Sequence, residues 1–239
     1  MAFPALPEFS EIAAHFCDAL ERALRRETPY RHWILADVLP DDLAVNILLL
    51  PIAPPARPDP NGVRDTDNSI RTFFTPALQE QYRTCAVFAE AMQSPEVAET
   101  LARTLGLDLQ GSYLRMEYIQ DTDGAWLQPH CDIPEKLFSM VIYLCTGPEA
   151  KDWGTDIYDQ NRIWVGRSSA ELNSAVIFVP GANTWHGFEP RSINGVRRLL
   201  EINYVHPSWR DRDQLSFPER PIDLTEPALC YKKELVKRL

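Results

Sequence analysis

Apolar and polar positions follow two rhythms along this chain. Up to about residue 105 the apolar residues recur at helical spacing; beyond it they alternate with polar ones or bunch in short runs. Between Glu8 and Arg26, the residues Phe9, Ile12, Ala13, Phe16, Leu20, Ala23 and Leu24 line one face of an amphipathic helix. Arg25 and Arg26 would close that helix, where cations are favourable. Tyr30 to Leu35 reads as a short strand. Pro40-Asp41-Asp42 opens a second helix, since proline and acidic residues suit a helix start. Five prolines between Pro51 and Gly62 make that stretch a loop. Helical patterns return at 77–92 and 95–105.

The second rhythm predicts strands. Ser112 to Ile119 alternates, and the polar turn Asp121-Thr122-Asp123-Gly124 ends it. Leu137 to Leu144 is an apolar run bounded by Pro134 and Gly147, which predicts a buried strand. Further strands are expected at Trp153–Tyr158, Ala175–Val179, Asn183–Phe188 and Gly195–Val205. Short strands at this spacing, with little helix between them, indicate an antiparallel sandwich or barrel. The expected fold is therefore mainly β with an α elaboration. Its parts are helical support and entrance loops over 1–109, a β core over 110–210 and a C-terminal extension over 211–239, all in one domain.

Composition narrows the function. The 239 residues are 45% hydrophobic and 24% charged, enough apolar mass for a sizeable core. A net charge of −10 and scattered basic residues argue against a nucleic-acid partner, which needs a basic surface. No apolar run reaches membrane-spanning length, and Met1-Ala2-Phe3-Pro4 lacks a basic n-region, so a cytoplasmic protein is expected. Five cysteines without a C-x-x-C point to reduced thiols.

The chemistry concentrates in His130-Cys131-Asp132, followed by His186 and then Arg197. Residues two apart on an extended strand project from one face, so His130 and Asp132 can act together. A histidine from another strand completes a cap of two imidazoles and one carboxylate. That ligand set suits non-haem Fe(II) and leaves coordination positions open. A basic residue soon after the distal histidine suits a dicarboxylate co-substrate. His15, His32 and His206 lack partners at ligand spacing. Cys131 is expected to face away as a packed thiol, and Trp126 and Trp185 to pack in walls.

The ordered set L-x-x-H-x-D, Y-L, W-G-T, F-V-P-G, W-H-G-F and G-V-R-R-x-L-x-x-N-Y, over roughly 110–210, resembles the Fe(II)/2-oxoglutarate-dependent dioxygenases of the prolyl-4-hydroxylase-like branch. The resemblance implies a double-stranded β-helix (jelly roll) buttressed by the N-terminal helices. It implies Fe(II) held by His130, Asp132 and His186, with 2-oxoglutarate and O₂ as co-substrates and succinate and CO₂ as co-products. It places the co-substrate anchor on Arg197, with Arg198 the alternative. Trp153-Gly154 stands where many members have paired glycines. Halogenases of this superfamily replace the carboxylate ligand with a small residue; here Asp132 is present, so hydroxylation is the expected outcome.

Strand parity separates the two arginines. Arg198 shares a face with Leu200, Ile202 and Tyr204, whereas Arg197 shares the other with Leu199, Glu201 and Asn203. The more apolar face should meet the helices, which aims Arg197 into the cavity, where a guanidinium can grip a carboxylate with two parallel hydrogen bonds. Arg115 and Asn203 are candidate substrate or co-substrate contacts. The reading is a hydroxylase of a small-molecule or amino-acid-type substrate. Two alternatives stay open: a cupin-like metal hydrolase or isomerase, and a non-catalytic metal-binding sensor on the same barrel.

Overall fold

The computed structural model describes residues 4–56, 62–63 and 71–225. Parts of the expected Pro51–Gly62 loop and of the C-terminal extension lie outside these residues. The N-terminal part is helical, with α1 (Phe9–Glu21), α2 (Asp41–Leu48), α3 (Pro76–Gln81), α4 (Arg83–Gln93) and α5 (Pro95–Leu105). Short strands β1 (Leu24–Arg26), β2 (His32–Leu35) and β3 (Thr72–Phe73) lie between them. In α1 the side chain of Glu11 accepts the Glu8 backbone N–H, and Ile12, Ala13, Phe16 and Leu20 form the buried stripe. Helix α5 starts on a Ser94 cap with Pro95 in its first turn, and ends at Gly106 with φ of 72°.

Two helix expectations change. The first helix stops at Glu21, and Arg25 and Arg26 lie in β1, opposite Trp33 and His32 of β2. Arg25 packs its guanidinium over Trp33, a use of the side chain that no helical pattern anticipates. The expected helix at 77–92 is two helices, broken by the extended backbone of Tyr82. That break lets Tyr82 pack on the core and re-aims α4 to bury Cys85, Phe88 and Met92.

Eight strands build the β core: β4 (Tyr113–Asp121), β5 (Leu127–His130), β6 (Lys136–Tyr143), β7 (Asp156–Tyr158), β8 (Trp164–Arg167), β9 (Ser174–Phe178), β10 (His186–Phe188) and β11 (Arg197–Val205). Together with β1, β2 and β3 they form two antiparallel sheets, ordered β1-β2-β9-β6-β11-β4-β3 and β5-β10-β7-β8. The chain passes repeatedly from one sheet to the other, the double-stranded β-helix arrangement. The sequence pattern did not mark β8, whose Trp164 and Val165 are half exposed at a sheet edge. Pro129 is tolerated inside β5 because that strand is also an edge.

The large sheet is two-faced. Leu114, Met116 and Tyr118 of β4, Phe138, Met140 and Ile142 of β6, and Leu200, Ile202 and Tyr204 of β11 pack with the helices in one continuous core. Full burial of each such side chain contributes about 1.5–3 kcal/mol. The opposite face looks into the sandwich and carries Arg115, Glu117, Ser139, Arg197, Glu201 and Asn203, all buried. No helix among the described residues is long and apolar enough to cross a membrane.

Candidate metal centre and its cavity

Strand pairing brings the two histidines together. His130 ends β5, His186 begins β10, and the two are direct partners in the ladder, with ring centroids 4.3 Å apart. The strands can approach because position 187 is glycine; a Cβ there would lie 2.8 Å from the Leu127 carbonyl oxygen. Asp132 follows just past β5. Its Oδ1 lies 3.9 Å from His130 Nε2, and its Oδ2 lies 3.8 Å from His186 Nε2. One ligand atom from each of the three residues falls within 4.8 Å of the others, and no second such group occurs among the described residues.

The imidazoles are presented in the form a metal needs. Nδ1 of His130 bonds the Gln128 carbonyl at 3.0 Å, and Nδ1 of His186 bonds the Thr184 carbonyl at 2.9 Å. A carbonyl only accepts, so each Nδ1 carries the proton and each Nε2 turns its lone pair to the centre. Burial lowers His186 to about 4, which keeps it neutral. Burial raises the Asp132 carboxyl, but Lys136 and His186 outweigh it and bring the group down to about 2. Two neutral imidazoles and one carboxylate fit a divalent first-row metal, Fe(II) included.

The centre opens into a cavity of about 430 Å³. Arg197, only 2% exposed, lies in its wall. Its Nε donates to the Trp153 carbonyl at 2.6 Å and its Nη1 to Asp121 at 2.5 Å, while the guanidinium stacks 3.9 Å from the centre of the Phe188 ring. Arg198 is half-buried on the other face of the strand, beside Tyr118. Next to Arg197, the Tyr143 hydroxyl bonds Thr155 and Ser168, both at 2.6 Å.

Arg115 also borders the cavity, and each of its three nitrogens is engaged. Nε, Nη1 and Nη2 reach Gln214, Asn203 and Glu117 at 2.9, 2.7 and 3.0 Å, and its faces meet Phe73 and Trp209. Asn203 is fully buried behind the cavity wall, where its amide holds Arg115, Ser139 and the Phe138 carbonyl. Cys131 lies at the cavity's edge, and its thiol bonds Thr184, which is not part of the cavity lining. Trp126 packs on Gly62, and Trp185 packs under Arg162.

Sequence reasoning missed Lys136. Its Nζ lies 2.9 Å from Asp132 and 2.6 Å from Glu201. Alternation counted back from the helix-facing Phe138 would put Lys136 on the helix side as well. A bulge intervenes: Tyr204 pairs with Phe138 but Val205 pairs with Lys136, so Leu137 is the extra residue and Lys136 turns inward. The only signal in the sequence was a lone lysine opening an otherwise apolar run.

No family model matches the chain, and no curated protein matches it in sequence. Solved structures do match. A Pseudomonas putida prolyl-4-hydroxylase aligns with a TM-score of 0.53 at 19% identity, over 87% of this chain and 99% of that one. A Phytophthora capsici prolyl 4-hydroxylase gives 0.57 at 15%, over 86% and 70%. A Trichoplax adhaerens prolyl hydroxylase, solved with a hypoxia inducible factor oxygen degradation domain peptide fragment, gives 0.52 at 13%, over 82% and 90%. The chain therefore has the jelly-roll fold of the prolyl hydroxylases.

Proposed function

We propose that this chain is an Fe(II)- and 2-oxoglutarate-dependent oxygenase that hydroxylates an unactivated C–H bond of a small-molecule or amino-acid-type substrate. One observation carries the reading: His130, Asp132 and His186 converge on one point in the wall of a cavity that also contains Arg197. A hydrolytic zinc site of the same ligands gives no role to such an arginine.

Fe(II) would be held by Nε2 of both histidines and by the Asp132 carboxylate. With 2-oxoglutarate and O₂ it supplies the oxidation, which places one oxygen atom in the substrate and one in succinate, with loss of CO₂. The protein's own work is binding, orientation and exclusion of water. Arg197 is read as the anchor for the distal carboxylate of 2-oxoglutarate, because a guanidinium can offer parallel donors to a carboxylate. Ile119, Val141, Phe188 and Leu199 line the apolar part of the cavity and keep water from the reacting atoms. Arg115, locked by three partners, is read as a rigid wall bordering the substrate, and Asn203 as its brace. About 430 Å³ is at the small end for ligand pockets, which favours the co-substrate plus one small molecule or one side chain. We read the chain as one domain, its helices supporting the large sheet.

The test is succinate release from anaerobically Fe(II)-loaded protein, screened over amino acids and small metabolites. Turnover must require both O₂ and 2-oxoglutarate. Turnover that needs neither would establish a hydrolase or isomerase instead.

A further inference from the structure

The candidate ligand Asp132 belongs to a closed circuit of side chains. Ser139 donates to Asp132 Oδ2 at 2.6 Å, and Asn203 donates to the Ser139 oxygen at 3.2 Å. Arg115 donates to Asn203 at 2.7 Å and lies 4.0 Å from Glu201 Oε1. Lys136 closes the ring, donating to that same Glu201 oxygen at 2.6 Å and to Asp132 Oδ1 at 2.9 Å. Both oxygens of the carboxylate thus carry a donor, one neutral and one charged.

The charged donor is the unusual one. A hydroxyl such as Ser139 suffices to orient a carboxylate. An ammonium does more, because it withdraws negative charge from the ligand and lies within a few ångströms of any cation bound there. The side chains of Lys136 and Asp132 are 13% and 8% exposed, so solvent screens the interaction weakly. Such a charge opposes a cation in the centre and attracts an anion arriving beside it.

We propose that Lys136 is a positioning residue that trims the charge of the metal carboxylate, loosening the centre's hold on the cation while strengthening its attraction for an anionic co-substrate. This rests on the metal-centre reading above. The β6 bulge is then functional, since without it Lys136 would face the helices.

The experiment measures binding, not turnover. Co(II) affinity is titrated by calorimetry on metal-free protein. 2-Oxoglutarate affinity is then read anaerobically from the visible spectrum of the Co(II) protein. In K136M the Co(II) dissociation constant should fall at least about tenfold, and that for 2-oxoglutarate should rise at least about tenfold, each equivalent to about 1.4 kcal/mol. K136R keeps the charge and should restore both. Should K136M not fold, because Glu201 loses its nearest cation, K136M/E201Q is compared with E201Q and must show the same opposite shifts. A purely structural lysine would weaken both affinities together on removal; that result, or no change in either, overturns the proposal. Failure of the unmodified protein to bind Co(II) would instead refute the metal centre, and this inference with it.

Discussion

Replacing Arg197 by alanine removes a guanidinium that touches three protein groups and borders the cavity. Its hydrogen bonds to Asp121 and the Trp153 carbonyl and its stack on Phe188 are all lost, so a drop in Tm is expected as well as a binding defect. Losing one partner of a buried charge pair costs on the order of 2–5 kcal/mol, because the other charge is stranded. At about 1.4 kcal/mol per decade, the lower bound raises the KM for 2-oxoglutarate about 30-fold. The assay is the initial rate of succinate release against 2-oxoglutarate concentration, at saturating Fe(II). Two controls separate anchoring from folding. D121N removes the protein's own carboxylate from Arg197, and should lower Tm without raising the KM. R198A alters the helix-facing side, beside Tyr118, and should leave the KM within about threefold, under 1 kcal/mol. An unchanged KM in R197A, or an equal rise in R198A, refutes the assignment of Arg197 as anchor.

Other predictions address the centre and its surroundings. H186A should abolish Co(II) binding in calorimetry while leaving the far-ultraviolet circular dichroism close to that of the parent; retained binding would contradict the ligand set. G187A places a methyl 2.8 Å from the Leu127 carbonyl oxygen and must push β5 from β10, so metal affinity should fall by about 10-fold or more as His130 moves from His186. For Glu117, burial raises the carboxyl, but Arg71 and Arg115 overcome it and hold the group below its usual 4.5. A depressed carboxylate stabilises the fold above the unfolded value, and that contribution is lost as pH falls through the folded one. E117Q should therefore lower Tm near neutrality yet show a shallower fall in Tm than the parent between about pH 5 and pH 3. Parallel acid limbs in the two proteins would exclude that role.

Local information in the sequence determined much of this protein. Alternation and short apolar runs located most of the core strands, because a residue on a pleated strand has only two faces to choose between. The same parity sorted Arg197 from Arg198, since β11 pairs with β4 without interruption. The spacing of His130 and Asp132 marked a metal-type pair. Tertiary structure decided the rest. Arg25 and Arg26 left the helix for a strand because β2 offered a partner edge, a non-local choice that helical periodicity does not contain. Asn203 has the inward parity that suggested a ligand contact, yet it lies behind the wall because Arg115 and Ser139 from the flanking strands use up its amide. Lys136 depended on a bulge, where one extra residue reverses the face of everything before it. A register defect is a property of two strands together, so neither strand's sequence alone announces it.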